Sequence, residues 1–245
     1  MPAVVARSSD PDVIHRYARG AGVAMLLSIV FGALGEAYLP GRIIVTGDAA
    51  ATAANITAHP TLFRMTFATY LVEGFSDIIL CVLWYIILRP VDRNLALISA
   101  FVGVVSMITF AVAESCFWAS SIILKDAAGM TAFTAEQRTA LAYLSLRIST
   151  TIASLFLCFY GSASAIRGFL IMRSGYLPKV LGVLLMIGGG GFILRSLTYI
   201  LAPAYGSSLM LIPMAVAGIP LTFWLLVKGV DRAALEDALV VALRA

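Results

Sequence analysis

The chain has 245 residues, of which 61% are hydrophobic and only 12% are charged, and its formal net charge is +4. A soluble domain carries about twice that charged fraction, and the mean hydropathy is +0.97, so the composition excludes a soluble globular enzyme and a disordered chain. The 17 Lys and Arg residues only slightly outnumber the 13 acids and are dispersed, which argues against a nucleic-acid partner. Lipid is therefore the expected solvent for most of the chain.

Six segments are apolar enough to cross the bilayer, which takes about 20 residues of helix for roughly 30 Å of hydrocarbon. They cover residues 20–39, 63–88, 95–124, 138–169, 178–202 and 208–228. The loops between them are short, so we expect an all-α polytopic integral membrane protein, a bundle of six transmembrane helices over residues 20–228. A cytoplasmic segment, residues 1–19, precedes the bundle, and residues 229–245 follow it.

The basic residues of the loops predict the orientation, because Lys and Arg are retained on the cytoplasmic side of a membrane. One side collects Arg7, Arg16, Arg19, Arg89, Arg93, Arg167, Arg173, Lys179, Lys228, Arg232 and Arg244, whereas the other has Arg42, Arg64, Lys125 and Arg138. Both termini are therefore predicted to be cytoplasmic, which fits an even number of crossings.

Aspartates predict helix starts outside the spans, because Asp is a favoured N-cap. Asp10, followed by proline, predicts a short helix leading into the first span. In the longest outer loop, residues 41–62, Asp48 predicts a short alanine-rich helix that ends at His59-Pro60. This loop helix is expected to cover the outer face of the bundle.

The residues after the last span predict an amphipathic C-terminal helix. Asp231 is its expected N-cap, and leucines recur every four residues at Leu235, Leu239 and Leu243. Such an apolar stripe lies on the bilayer surface or docks under the bundle. Because only Arg232 and Arg244 are basic, a plain terminal helix is favoured over a binder of anionic lipid.

No sequence motif identifies a cofactor, which stays unknown. Three cysteines lie inside apolar runs, at Cys81, Cys116 and Cys158, and their spacing fits neither a disulfide framework nor a metal site. His15 and His59 fall on opposite sides of the predicted membrane, so they cannot jointly hold zinc or haem. Tryptophans such as Trp118 are expected to be interface anchors or core residues.

Six ionisable side chains fall inside the spans, where a charge costs about 2.5–3.5 kcal/mol at mid-bilayer and needs a partner or a hydrated cavity. They are Glu36, Glu73, Asp77, Glu114, Arg147 and Arg195. At about 1.5 Å per residue, five of them lie roughly 6–15 Å from the outer ends of their spans, and Asp77 lies slightly deeper. Charges from five spans are therefore expected in one layer of the outer half.

Polar residues at three- and four-residue spacing share one face of a helix. They are Thr66, Thr69, Tyr70, Glu73, Ser76 and Asp77 on the second span, Tyr143, Arg147, Thr150, Ser154 and Cys158 on the fourth, and Gly188, Gly191, Arg195 and Thr198 on the fifth. We expect these faces to line a central pocket. The predicted ligand- or proton-binding residues are Glu36, Tyr70, Glu73, Asp77, Glu114, Arg147 and Arg195.

The charges of this predicted pocket do not balance. Four acids against two arginines leave two negative charges, so one or two acids are protonated or a cation sits among them. Glu73 and Asp77, one turn apart, are the expected pair to share a proton. The alternative is that buried Arg–Glu pairs only hold the helices together.

Four consecutive glycines, Gly188 to Gly191, have two interpretations. They weaken a helix by roughly 1 kcal/mol each relative to alanine, which suits a helix broken at a binding site, as in transporters. They also permit close contact between helices, the commoner use of small residues in membranes. We favour packing.

Four stretches carry a family resemblance: residues 42–56 (RIIVTGDAAATAANI), 62–64 (LFR), 88–97 (LRPVDRNLAL) and 173–185 (RSGYLPKVLGVLL). In this order they resemble an uncharacterised bacterial membrane family, domain of unknown function 4386 (DUF4386). Thr46 stands where that family is expected to have proline. The resemblance implies a multi-pass protein of the bacterial inner membrane. Because the family has no established activity, it transfers no catalytic residue.

Three functions are compatible with these features. The first is binding or movement of a small solute, an ion or a proton in the charged pocket. The second is an intramembrane enzyme acting on a lipid-like substrate, with Glu73 or Glu114 as general acid or base. The third is a structural or accessory subunit of a membrane complex. The expected partners are accordingly the lipid bilayer, a small solute or cation, and a membrane-protein partner or second copy of the chain, with no nucleic acid.

Overall fold

The computed structural model describes residues 10–125 and 129–242, which form helices and no β-strand. The long helices are α1 (Pro11–Gly32), α3 (Pro60–Leu88), α4 (Arg93–Lys125), α5 (Ala135–Ser174), α6 (Lys179–Leu201) and α7 (Ile212–Val227). Two shorter helices are α2 (Ala49–Ala58) in the loop and α8 (Arg232–Ala242) near the C-terminus. A π-helical segment, Ala33–Tyr38, extends α1, and single 3₁₀ turns occur at Pro40–Arg42, Pro203–Tyr205 and Ser208–Leu211.

Six of these helical stretches are long and apolar enough to cross a membrane. They are Pro11–Arg42, Pro60–Leu88, Arg93–Lys125, Ala135–Ser174, Lys179–Leu201 and Ser208–Val227. The all-α, six-span prediction is therefore confirmed. The first span begins earlier than the predicted residues 20–39, because the short helix that Asp10 predicts and the first span form one continuous helix from Pro11.

The three predicted aspartate caps are confirmed. Asp10 Oδ1 accepts a hydrogen bond from Asp12 N at 2.9 Å, Asp48 Oδ1 from Ala51 N at 2.8 Å, and Asp231 Oδ1 from Ala234 N at 3.2 Å. Each such cap stabilises its helix by about 1 kcal/mol. In α8, Leu235 is fully buried, so this helix docks on the protein; Leu243 and Arg244 of the predicted stripe lie outside the described residues.

The chain divides into two compact units, each built from separate stretches of sequence. Within the described residues, the first unit contains residues 10–26, 76–107 and 156–242. The second unit contains residues 27–75, 108–125 and 129–155.

In the first unit, one face of α1 contacts the end of α7 and the residues that follow it. Asp12 Oδ1 forms an ion pair with Arg232 Nη1 at 2.8 Å, His15 Nδ1 lies 3.0 Å from Val230 O, and Arg19 Nε donates to Leu226 O at 3.1 Å. These three residues recur every three or four positions and therefore share a helix face. The contacts hold the start of the first span beside the end of the last one, so these two helix ends lie together.

Helix α6 runs unbroken through its four glycines. A Cβ at Gly188 would lie 2.9 Å from Met214 Cα, and one at Gly191 would lie 2.5 Å from Met210 O. Gly189 lies against Gly161 O of α5, whereas Gly190 has no such neighbour within 4 Å. Three of the four glycines thus permit close packing of helices, and the interpretation as a broken helix is wrong.

An aromatic cluster joins α3 and α4 in the second unit. The rings of Phe63 and Phe117 stack with centroids 4.7 Å apart, and Tyr70 meets Phe110 and Phe117 edge-on at 5.8 and 5.6 Å. Such pairs add about 0.5–1.5 kcal/mol each beyond the area they bury. These pairs hold α3 and α4 together near Glu73 and Glu114.

Candidate functional site

The acidic residues of the second unit meet where α1 gives way to its π-helical segment. A Cβ at Gly32 would lie 2.7 Å from Glu73 Oε1, and one at Gly35 would lie 2.5 Å from Thr69 Oγ1 and 3.0 Å from the Tyr70 ring. Two glycines, one at the end of α1 and one in the π-helical segment, therefore let the polar face of α3 approach the backbone. The π-helical segment places Glu36 immediately beyond them, and such segments occur frequently at functional sites.

Three carboxyl groups lie near one hydroxyl group here. The side chains of Glu36, Glu73 and Glu114 all lie within electrostatic range of Tyr70, and Glu36 lies within that range of Glu114. We call these four residues the acidic cluster. Glu73, Glu114 and Tyr70 are 9%, 7% and 6% exposed, whereas Glu36 is exposed. The cluster thus combines buried acids with one acid at the surface of the unit.

The hydrogen bonding of Glu114 is incomplete. Its Oε2 atom is buried and has no hydrogen-bond partner. A buried polar atom left in this state costs about 1–3 kcal/mol, and native structures contain few of them. Glu114 is therefore a buried acceptor available to a proton or to another donor.

The cluster does not have the arrangement of a metal centre. Among the described residues, no three His, Cys, Asp or Glu side chains come close enough together to hold a metal ion. Hard cations such as Ca²⁺ take six to eight oxygen ligands at about 2.3–2.6 Å.

The threonine hydroxyl groups near the cluster donate hydrogen bonds to carbonyl groups of their own helix. Thr66 donates to Leu62 O at 3.1 Å, and Thr69 donates to Thr66 O at 2.6 Å. The predicted hydroxyl stripe of the second span is therefore less available to a ligand than its spacing indicates. A separate groove of about 300 Å³, lined by Phe133, Gln137, Ala140, Leu141 and Leu144, shares no residue with the cluster.

The two arginines predicted to balance the acids form no ion pair with them among the described residues. Arg147 belongs to the second unit, where it is exposed, and it has no ion pair within the described ranges. Arg195 belongs to the first unit, and its Cζ atom lies 5.3 Å from the centroid of the Tyr199 ring. Asp77, 3% exposed, also belongs to the first unit, where it lies in electrostatic range of Cys81.

The second unit thus brings together Glu36, Tyr70, Glu73 and Glu114, four of the seven predicted site residues. The prediction that all seven form one pocket stays a prediction.

Sequence reasoning missed Arg167, which was counted as a loop cation. It is only 4% exposed, and its guanidinium group donates to Ser99 Oγ at 3.1 Å and to Cys81 Sγ at 3.5 Å. A Cβ at Gly103 would lie 2.5 Å from its Nη2 atom. The available signal was the polar, small-residue content of this part of α5, where Gly161, Ser162 and Ser164 precede it.

The comparisons with known proteins agree with the membrane architecture. The family model described as "Domain of unknown function (DUF4386)" matches residues 20–229. An uncharacterized protein of Archaeoglobus fulgidus is 26% identical over 174 residues, which cover 71% of this chain and 88% of that protein. No solved structure gives a significant match.

Proposed function

We propose that this chain, which belongs to the DUF4386 family, binds and moves protons at the acidic cluster of its membrane region. The observation that carries the proposal is the buried Oε2 atom of Glu114, which has no hydrogen-bond partner. A proton on this oxygen removes the charge of the carboxylate and makes the group a hydrogen-bond donor.

Three neighbouring acids, each in a different candidate span, are costly to ionise together. An ionised side chain costs about 2.5–3.5 kcal/mol at the centre of a bilayer, and like charges close together add repulsion. Four arginines belong to the same unit, Arg42, Arg64, Arg138 and Arg147, and none of them supplies an ion pair within the described chain. Protons are therefore the simplest means of neutralising this cluster.

The different burial of the three acids supports a route for the proton. Glu36 lies at the surface of the second unit, whereas Glu73 and Glu114 are buried. Tyr70 lies within electrostatic range of all three, and its hydroxyl group both donates and accepts hydrogen bonds. In the proposed function, Glu36 receives the proton from water and Tyr70 passes it to the buried acids.

The location is part of the same proposal. The excess of cations in the loops that include Arg16, Arg89, Arg173 and Lys228 favours both termini in the cytoplasm. We propose a multi-pass protein of a bacterial inner membrane, so that Glu36 is reached from the outer side.

Infrared difference titration of the protein in lipid nanodiscs tests proton binding directly. The absorbance of protonated carboxyl groups should fall with rising pH in the wild type, and Glu114→Gln should remove part of this signal. Glu136→Gln is the matched control, because Glu136 is an exposed acid in the first turn of α5. Superimposable titrations of Glu114→Gln and the wild type would contradict the proposal.

Movement of the proton needs a second measurement. In liposomes with an internal pH-sensitive dye and a potassium diffusion potential, the wild type should carry protons faster than empty liposomes. Glu36→Gln and Glu114→Gln should both abolish this flux, and Glu136→Gln should preserve it. A lipid species converted only in the presence of the protein, or a stoichiometric partner in mild detergent, would favour the alternatives of an enzyme or an accessory subunit.

A further inference from the structure

Glu114 is surrounded by aromatic rings on its own helix. Phe110 precedes it by four residues, and Phe117 and Trp118 follow it by three and four. Residues at these spacings are neighbours on a helix surface. The carboxyl group of Glu114 therefore has an aromatic side chain one turn before it and two aromatic side chains one turn after it.

Rings from α3 complete this aromatic surround. Tyr70 lies edge-on to Phe110 and Phe117. Phe67 packs against Trp118 with centroids 4.7 Å apart, and Phe63 lies 5.8 Å from Trp118. All of these residues belong to the second unit, so the surround is complete within one compact body.

These aromatic side chains are partly exposed at one end of the group. Phe63, Phe110 and Phe117 are buried, at 0%, 3% and 4% exposure, whereas Phe67 and Trp118 are partly exposed. Trp118 is thus the aromatic neighbour of Glu114 that an incoming molecule can reach. Glu36, the exposed acid of the cluster, is a second polar group available to it.

This combination selects a chemical class of ligand. An inorganic cation needs several oxygen ligands that converge, and no such set exists among the described residues. An organic cation with apolar substituents needs one counter-charge and aromatic faces, with Trp the best of the rings. Glu114 supplies a buried acceptor without a partner, and Trp118 supplies the partly exposed ring.

We propose that the acidic cluster binds an apolar organic cation against Trp118, in exchange for the proton of Glu114. The inference rests on the proposed function, because it uses the same carboxyl group as the proton site. In the exchange, the O–H bond of Glu114 breaks, its proton leaves to water, and the ligand supplies the positive charge. One charge replaces one charge, so the cluster stays neutral overall.

Calorimetric titration with tetraphenylphosphonium, in buffers of different ionisation enthalpy, tests this exchange on the full-length protein in nanodiscs. One proton should be released for each cation bound, and binding should weaken as the pH falls. Glu114→Gln should lose both binding and proton release. Binding without proton release, or binding unchanged in Glu114→Gln, would overturn the proposal.

A second pair of variants separates this inference from the proton site. Trp118→Leu should weaken tetraphenylphosphonium binding at least fivefold, which is about 1 kcal/mol for one lost cation–π contact, while the infrared proton titration stays as in the wild type. Trp224→Leu, which removes a tryptophan of the first unit, should leave both measurements unchanged. Equal affinities of Trp118→Leu and Trp224→Leu would refute the aromatic site and leave proton binding by the cluster standing.

Discussion

The carboxyl group of Glu73 rests against the backbone of Gly32: a Cβ placed on Gly32 would approach Glu73 Oε1 to 2.7 Å and Cδ to 3.0 Å. The contact atoms are the far end of a side chain that can rotate. A larger residue at position 32 would therefore displace the carboxyl group before it displaced a helix.

Gly32→Ala should therefore alter proton binding more than stability. The added methyl group moves the Glu73 carboxyl out of its place, while alanine favours the helix by about 1 kcal/mol over glycine. The infrared titration should shift, and the thermal unfolding midpoint should change little. Gly74→Ala is the matched control, because no atom lies within 4 Å of its Cβ position; an equal shift in both variants would argue against the contact.

Neighbouring glycines of α6 should respond in opposite directions to alanine. Gly190→Ala meets open space and should raise the free energy of unfolding by about 1 kcal/mol. Gly189→Ala would press on Gly161 O and on Ala165 N at 2.9 Å and should lower it by about 1–3 kcal/mol, as overpacking does. Unfolding in mixed micelles measures both, and equal effects would show that close helix contact is not the role of this run.

Tyr176 should make stability fall at alkaline pH. It lies in the loop between α5 and α6, is 2% exposed and donates to Ile87 O at 2.6 Å, and burial raises the pKa of its phenol above the ordinary value of 10.0. The native state therefore keeps this proton at pH values where the unfolded chain has lost it. Its contribution is complete below pH about 10 and declines by about 1.4 kcal/mol per pH unit above that.

Tyr176→Phe should flatten this alkaline decline and cost about 1 kcal/mol at neutral pH, because Ile87 O loses its donor. Denaturant unfolding between pH 7 and pH 11 measures the difference. Tyr205→Phe serves for comparison, because Tyr205 is 77% exposed and should retain the wild-type profile. If the unfolding free energy of Tyr176→Phe fell with pH as steeply as that of the wild type, the decline would come from another group.

The elements of this fold were predictable because their signals are local. Runs of apolar residues fix the spans, and Asp48 and Asp231 mark helix starts by their position before an alanine-rich or leucine-spaced segment. Asp10 and the proline after it predict the start of α1, but hydropathy places the start of the first span at residue 20, because residues 11–19 carry several charges. Hydropathy alone does not distinguish a helix inside the bilayer from its continuation outside.

The candidate site was only partly predictable, because a helix face indicates neighbours on one helix and not the partner across it. The spacing of Tyr70 and Glu73 predicts that they share one face of their helix. It does not predict that Glu73 contacts Gly32 and that Tyr70 contacts Gly35. Arg147 fits its stripe equally well and is exposed. The π-helical segment around Glu36 adds a residue to a turn, and no composition rule marks where that occurs.

The contacts of Asp12, His15 and Arg19 with residues 226–232 join α1 to the end of α7 and the start of α8. Until α7 has been translated, Arg19 and His15 have no carbonyl groups of Leu226 and Val230 to bind. Helix α1 must therefore reside in the bilayer without these contacts, and the first unit closes only after the ribosome has released α7. A chain that stops before α7 would leave this face of α1 without its contacts permanently and offer it to the membrane quality-control proteases.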